Sequence, residues 1–143
     1  MEFKAKAFDQ LTTTELYEIV RSRTEIFLME QNIICRDFDG VDYHSLHCFL
    51  QEDDGKVVAY LRAYIYEDAV RIGRVLTLCH GIGLGKRLMT DSIPVIKEFF
   101  NCNKLVLDSQ KHAEGFYLGL GFVTVSDEFL EENIPHVRME RIL

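Results

Sequence analysis

A chain of 143 residues, 48% of them apolar and free of low-complexity tracts, can bury about two-thirds of its unfolded surface, and one domain over residues 1–143 is expected. Its formal charge of −7 argues against nucleic-acid binding, which draws on clustered Lys and Arg. No apolar run approaches the ~20 residues that cross a bilayer, and the opening MEFKAKAF lacks the apolar core of a signal peptide, so a cytoplasmic protein without a membrane partner is expected.

Residues 2–8, EFKAKAF, alternate apolar and polar side chains and predict a strand. Thr12-Thr13-Thr14-Glu15 then offers a capping box. Leu16, Ile19, Val20, Arg23, Ile26 and Phe27 keep helical spacing to about Met29. From Asn32 to His47 the pattern breaks into acidic, glycine-containing loop material. HCFLQE and KVVAYLRAYIY form a predicted hairpin about Asp54-Gly55, and VRIGRVLTL follows after a turn at Glu67-Asp68.

The stretch CHGIGLGKRLM, residues 79–89, comes next, and a helix follows in which Leu84, Leu88, Ile93, Ile96 and Phe100 share a face. Pro94 predicts a kink or break near Asp91, because proline removes a helical hydrogen bond. KLVLDS reads as a buried strand, HAEGFYLGLGF as a short helix closed by Gly121, and the segment from His136 onward as a terminal strand. The order implies an α/β (α+β) architecture, a mixed sheet with helices on its faces. Cys35, Cys48, Cys79 and Cys102 make no C-x-x-C pair, so free, mostly buried thiols and no metal site are expected.

Three phosphate-binding patterns compete for HGIGLGKR. A P-loop needs glycine where His80 stands and Ser or Thr where Arg87 stands. The dinucleotide fingerprint needs a third glycine at Lys86 or Leu88. What survives is a strand ending in a turn whose backbone N–H groups converge on a helix N-terminus, an anion site. Lys86 and Arg87 oppose the helix dipole there, and a bound anion accounts for them.

With these residues in place, the chain resembles the GNAT superfamily of acyl-CoA-dependent N-acyltransferases. Its pyrophosphate loop, R/Q-x-x-G-x-G/A, is matched by His80, Gly83 and Gly85. SQKHAEGFYLGLGF is similar to the family segment N-x-x-A-x-x-F-Y-x-x-x-G-F, with Gln110, Ala113, Phe116, Tyr117, Gly121 and Phe122 in register. FLMEQNIICRDFDGVD and IPHVRM resemble the ElaA-like subgroup. Two departures stand out: histidine heads the loop in place of Arg or Gln, and the approach from GRVLT to the glycines is about two residues short.

The resemblance implies a central, mostly antiparallel, splayed sheet and an N-acetyltransferase using acetyl-CoA, without a metal. An amine of a small molecule, peptide or protein would attack the thioester directly in a ternary complex. By register, Val75, Leu76 and Thr77 would hold the pantetheine, and an N–H near Leu76 would face the oxyanion. His80, Gly81, Ile82, Gly83, Leu84, Gly85 and Lys86 would hold the pyrophosphate, and Gln110 would touch the cofactor. Tyr117, protonated at neutral pH, would give its proton to the departing thiolate.

The base is left among Glu30, Asp37, Asp39, Asp42, His44, His47 and Glu67, while His47 and His136 read more readily as hydrogen-bonded structural histidines than as bases. Glu30, Gln31 and His47 are the acceptor-site candidates, the first two because the family places its acceptor pocket at the end of the first helix. Residues 37–42 form either a solvated turn or a cleft wall that favours a cationic amine. A non-catalytic acyl-CoA-binding module on the same fold remains the alternative, and a homodimer stays open.

Overall fold

The computed structural model describes residues 1–143. Eight strands, β1 (Glu2–Ala7), β2 (Leu46–Gln51), β3 (Val57–Tyr66), β4 (Ala69–Thr77), β5 (Lys104–Gln110), β6 (Val123–Thr124), β7 (Phe129–Glu131) and β8 (Ile134–Ile142), build one sheet. Three α-helices cover it: α1 (Thr13–Arg23), α2 (Leu84–Phe100) and α3 (Glu114–Leu118). The strand order is β1-β2-β3-β4-β5-β8-β6, with β7 also paired to β8. Every pairing is antiparallel except β4 with β5. The expected mixed, mostly antiparallel sheet is thus observed.

Side-chain alternation divides the sheet into two faces. Leu46, Cys48, Leu61, Ala63, Val70, Ile72, Leu105, Leu107, Val137 and Met139 pack beneath α2 and α3 in the larger core. Phe49, Val57, Tyr60 and Leu76 meet Ile19 and Ile26 on the other side, beneath α1. The capping box forms as read: the Thr12 hydroxyl accepts from Glu15 N–H, and the Glu15 carboxylate accepts from Thr12 N–H. Lys4 and Lys6 of β1 also donate to Glu15. Burial raises the Glu15 carboxyl, but these bonds outweigh it and hold it down at about 2.

Four features depart from expectation. The first helix widens into π-helical turns over Thr24–Glu30. Such turns take one more residue each, and apolar spacing does not distinguish them from α-helix. α2 runs through Pro94 without a break. Pro94 is on the exposed face, so water can satisfy the carbonyl that loses its partner, while Leu88, Met89, Ile93 and Ile96 anchor the buried face. β6 and β7 have two and three residues, too few for a periodicity to register. Of the four free cysteines only Cys48 is buried; Cys35 and Cys79 are exposed.

Candidate functional site

β4 and β5 share only two residue pairs, Val70 with Leu105 and Arg71 with Val106. Past that point each stays with its outer neighbour, β4 with β3 through Thr77 and β5 with β8 through Gln110. A bulge marks the parting. Between the pairs Arg62–Gly73 and Tyr60–Leu76, two residues of β4 oppose one of β3, and Arg74 takes a φ of +53°. Between the separated strands lies a cleft of about 840 Å³. Residues 72–75 and 107–110 form its walls, with Phe27 and Gln31 from the end of the first helix, Tyr117 from α3, and His136 from β8.

The ladder decides which amides of β4 face the cleft. Leu78 N–H donates to Val58 O at 2.8 Å, and the Tyr60–Leu76 pair has the same phase two residues on, so the Leu76 amide points to β3. The donor expected near Leu76 is thereby narrowed to its two neighbours: by the same phase the amides of Val75 and Thr77 face away from β3, toward β5. The Leu76 side chain is buried beneath α1, and of the three residues only Val75 lines the cleft.

The glycine loop leads from Thr77 to α2. Gly81 and Gly83 have φ of +79° and +84°, a region side chains disfavour. Gly83 is the N-cap and offers no side chain, and the first turn has no acidic residue, so its free N–H groups lack an anionic partner from the chain. At Gly85 a Cβ would lie 3.2 Å from the Phe116 ring, a tight contact that the ring would have to yield to. Leu84 turns its side chain into the main core, whereas Ile82 and Lys86 are exposed.

Sequence-distant candidates meet at this edge. His80 Nε2 lies 2.8 Å from Glu30 Oε1, and its Nδ1 lies 3.3 Å from the Thr77 hydroxyl. The Gln110 amide donates to Gln31 Oε1 at 2.9 Å, 79 residues away in sequence. Tyr117 is buried against Phe116 and Phe122. Burial alone pushes its phenol above the usual range, with no hydrogen bond or charge of the chain acting on it, and the group keeps its proton at neutral pH.

Two expectations are corrected. His47 is buried off the cleft, its ring nitrogens engaged by the Tyr60 hydroxyl at 2.8 Å and the Asp42 carbonyl at 2.9 Å. It is a core residue with neither nitrogen available to a substrate. The acidic loop offers no free negative charge either. Arg23 binds Asp37 and Asp42, Arg62 binds Asp39 and Asp42, and Arg74 binds Asp37 and Asp39. The Arg62 hydrogen bond comes first among the influences that hold the Asp39 carboxyl at about 2, and Asp42 is likewise lowered, its arginine partners outweighing burial. Neither is a base at neutral pH. Glu67 sits in the β3–β4 turn, at the end of the sheet where β4 and β5 remain paired.

A pair absent from the sequence reading lies on the far wall: His136 and Glu131, with Nε2 and Oε2 3.5 Å apart. IPHVRM places His136 at the head of a strand, but it carries no signal that β7 brings Glu131 beside the ring.

Comparisons with known proteins agree with this geometry. A family model described as an acetyltransferase (GNAT) domain matches residues 39–143. A UPF0039 protein of Schizosaccharomyces pombe is 38% identical over 143 residues, covering 97% of this chain and 95% of the relative. The crystal structure of an acyl-CoA N-acyltransferase from Pseudomonas aeruginosa superimposes with a TM-score of 0.92 at 33% identity, covering 99% of each chain. Escherichia coli ElaA gives a TM-score of 0.90 at 28% identity over 98% of each.

Proposed function

The chain belongs to the GNAT acetyltransferase family, in its ElaA-like group, and from that premise we propose that it transfers an acetyl group from acetyl-CoA to a primary amine of a small molecule, peptide or protein. Acyl transfer from an acyl-CoA is the activity that the family supports. The observation that carries the reading is the cleft where β4 and β5 part, with Tyr117 among its lining residues, together with the uncapped start of α2 in the chain beyond β4.

In this reading the residues fit an acyl-CoA as co-substrate. His80, Gly81, Ile82, Gly83, Leu84, Gly85 and Lys86 hold the pyrophosphate, mainly through backbone N–H groups; each such bond to a charged oxygen contributes about 1.5–3 kcal/mol. Val75 and Thr77 offer their amides to the pantetheine and to the developing oxyanion. Gln110 contacts the cofactor and is set by Gln31. Tyr117 protonates the leaving thiolate. Glu30 and Gln31 border the acceptor entrance.

Calorimetry with acetyl-CoA, followed by thiol release on a panel of primary amines, tests this. Saturable binding with amine-dependent thiol release is expected. Binding without release on any amine would instead favour an acyl-CoA-binding module, and no binding at millimolar acetyl-CoA would overturn both.

A further inference from the structure

The His136 side chain is nine-tenths buried along the cleft, its ring stacked on Phe129 with centroids 6.0 Å apart. Nδ1 lies 2.7 Å from the carbonyl oxygen of Ile134, which can only accept, so Nδ1 carries the proton. In the neutral ring the lone pair is then on Nε2. Facing it at 3.5 Å is Glu131 Oε2, a second acceptor. No donor of the chain serves the two. Gln110, opposite His136 in the ladder, directs its amide to Gln31.

Beside the ring the carboxylates of Glu131 of β7 and the neighbouring Glu132 carry no arginine or lysine partner, and Arg36 also lines the cleft. Asp108 of β5 is neutralised by Arg71 at 2.7 Å and Arg138 at 2.9 Å. His112 also lines the cleft, and the Lys111 ammonium is held by Glu114. A primary ammonium has three N–H donors and one positive charge, and can donate to Nε2 and Oε2 together.

We propose that Glu131 and His136 bind the ammonium of the acceptor and that His136 Nε2 removes its first proton. This rests on the acyltransferase reading of the same cleft. Glu131 holds the cation. Nε2 takes one proton, and the freed nitrogen lone pair forms the C–N bond to the thioester carbonyl carbon. The C–S bond breaks, and the thiolate takes the Tyr117 proton. The second proton, now on the amide nitrogen, restores the Tyr117 hydroxyl, and Nε2 releases its own to solvent.

The H136N substitution keeps a donor near the Ile134 carbonyl and removes Nε2. With an alkylamine that the wild type accepts, kcat/KM should fall about a hundredfold or more, while acetyl-CoA affinity stays unchanged. E131Q should raise KM for the amine about tenfold and leave kcat within a few-fold. A readout independent of turnover is long-range 1H–15N spectroscopy of the wild type. It should show the Nδ1–H tautomer, and propylammonium added to the CoA-saturated protein should shift the Nε2 resonance.

An Nε2–H tautomer, an Nε2 signal indifferent to propylammonium, or an unchanged kcat/KM in H136N would overturn the proposal. Failure of the wild type to bind acetyl-CoA would overturn the acyltransferase reading instead, and the spectra of the free protein with propylammonium would still decide the ammonium site.

Discussion

Beside one wall of the cleft, which Arg23, Arg74 and Asp37 line, three arginines meet three aspartates; along the other, one histidine meets one glutamate. In the first group Arg23 and Arg62 hydrogen-bond the carboxylates of Asp37, Asp39 and Asp42, and Arg74 adds ion pairs to Asp37 and Asp39. In the second, the chain supplies Nε2 and Oε2 with nothing better than each other at 3.5 Å. Charge density is therefore a poor guide to chemistry in this cleft. Unused hydrogen-bonding capacity is the better one, because a group already paired inside the protein must give up that pairing before it can act on a substrate.

The comparison breaks most readily at Arg23, which is buried and holds two carboxylates. R23M should cost about 3–5 kcal/mol, because it leaves Asp37 and Asp42 short of a cation in a partly buried setting. Urea unfolding measures it, and an unchanged midpoint would mean that the cluster contributes nothing to stability. Tyr117 comes next. Y117F preserves the packing against Phe116 and Phe122, and kcat should drop about a hundredfold, equivalent to ~2.7 kcal/mol of barrier, with acetyl-CoA affinity intact. Full turnover in Y117F would remove the phenol from the reaction.

The smallest effect sharpens the contrast through pH. The folded carboxyls of Asp39 and Glu15 sit at about 2, below their unfolded values, so the stability they contribute is present above about pH 4 and is lost as pH falls toward 2. Burial lowers His47 below the usual histidine range, outweighing the Asp42 carbonyl that its ring meets. Below about pH 6.5 the unfolded chain takes up a proton that folded His47 resists, and stability declines there first. Acid unfolding followed by circular dichroism should show a shallow fall from about pH 6.5 and a steep one below about pH 4. D39N should remove part of the steep segment and cost about 1 kcal/mol at neutral pH, a modest figure because solvent reaches this carboxylate.

Much of this was legible in the sequence where the cause is local. The Thr12–Glu15 capping box needs four consecutive residues, and the alternation in VVAYLRAYIY needs only the strand itself. The glycine turn before α2 needs backbone conformations that Gly81 and Gly83 alone supply. The misreadings are of another kind. Pro94 reads as a kink or a break because the cost of proline is local; there is no break, because the burial of Leu88, Ile93 and Ile96 that keeps the helix whole is not local. The donor near Leu76 is not assignable to one residue from sequence, because register against β3, displaced by a bulge at Arg74 and Val75, is a property of two strands.

Sequence alone determined most of the longer elements, the glycine turn before α2 and the family, since each rests on patterns within a few neighbouring residues or on motifs in fixed order. Tertiary structure alone decided which charged and polar groups are left over. Asp37 reaches Arg74 and Gln31 reaches Gln110 across 37 and 79 residues, and these encounters take groups out of use. Only after every such pairing is made does it become evident that Tyr117 and His136, one from α3 and one from β8, still have a proton to give and a lone pair to offer.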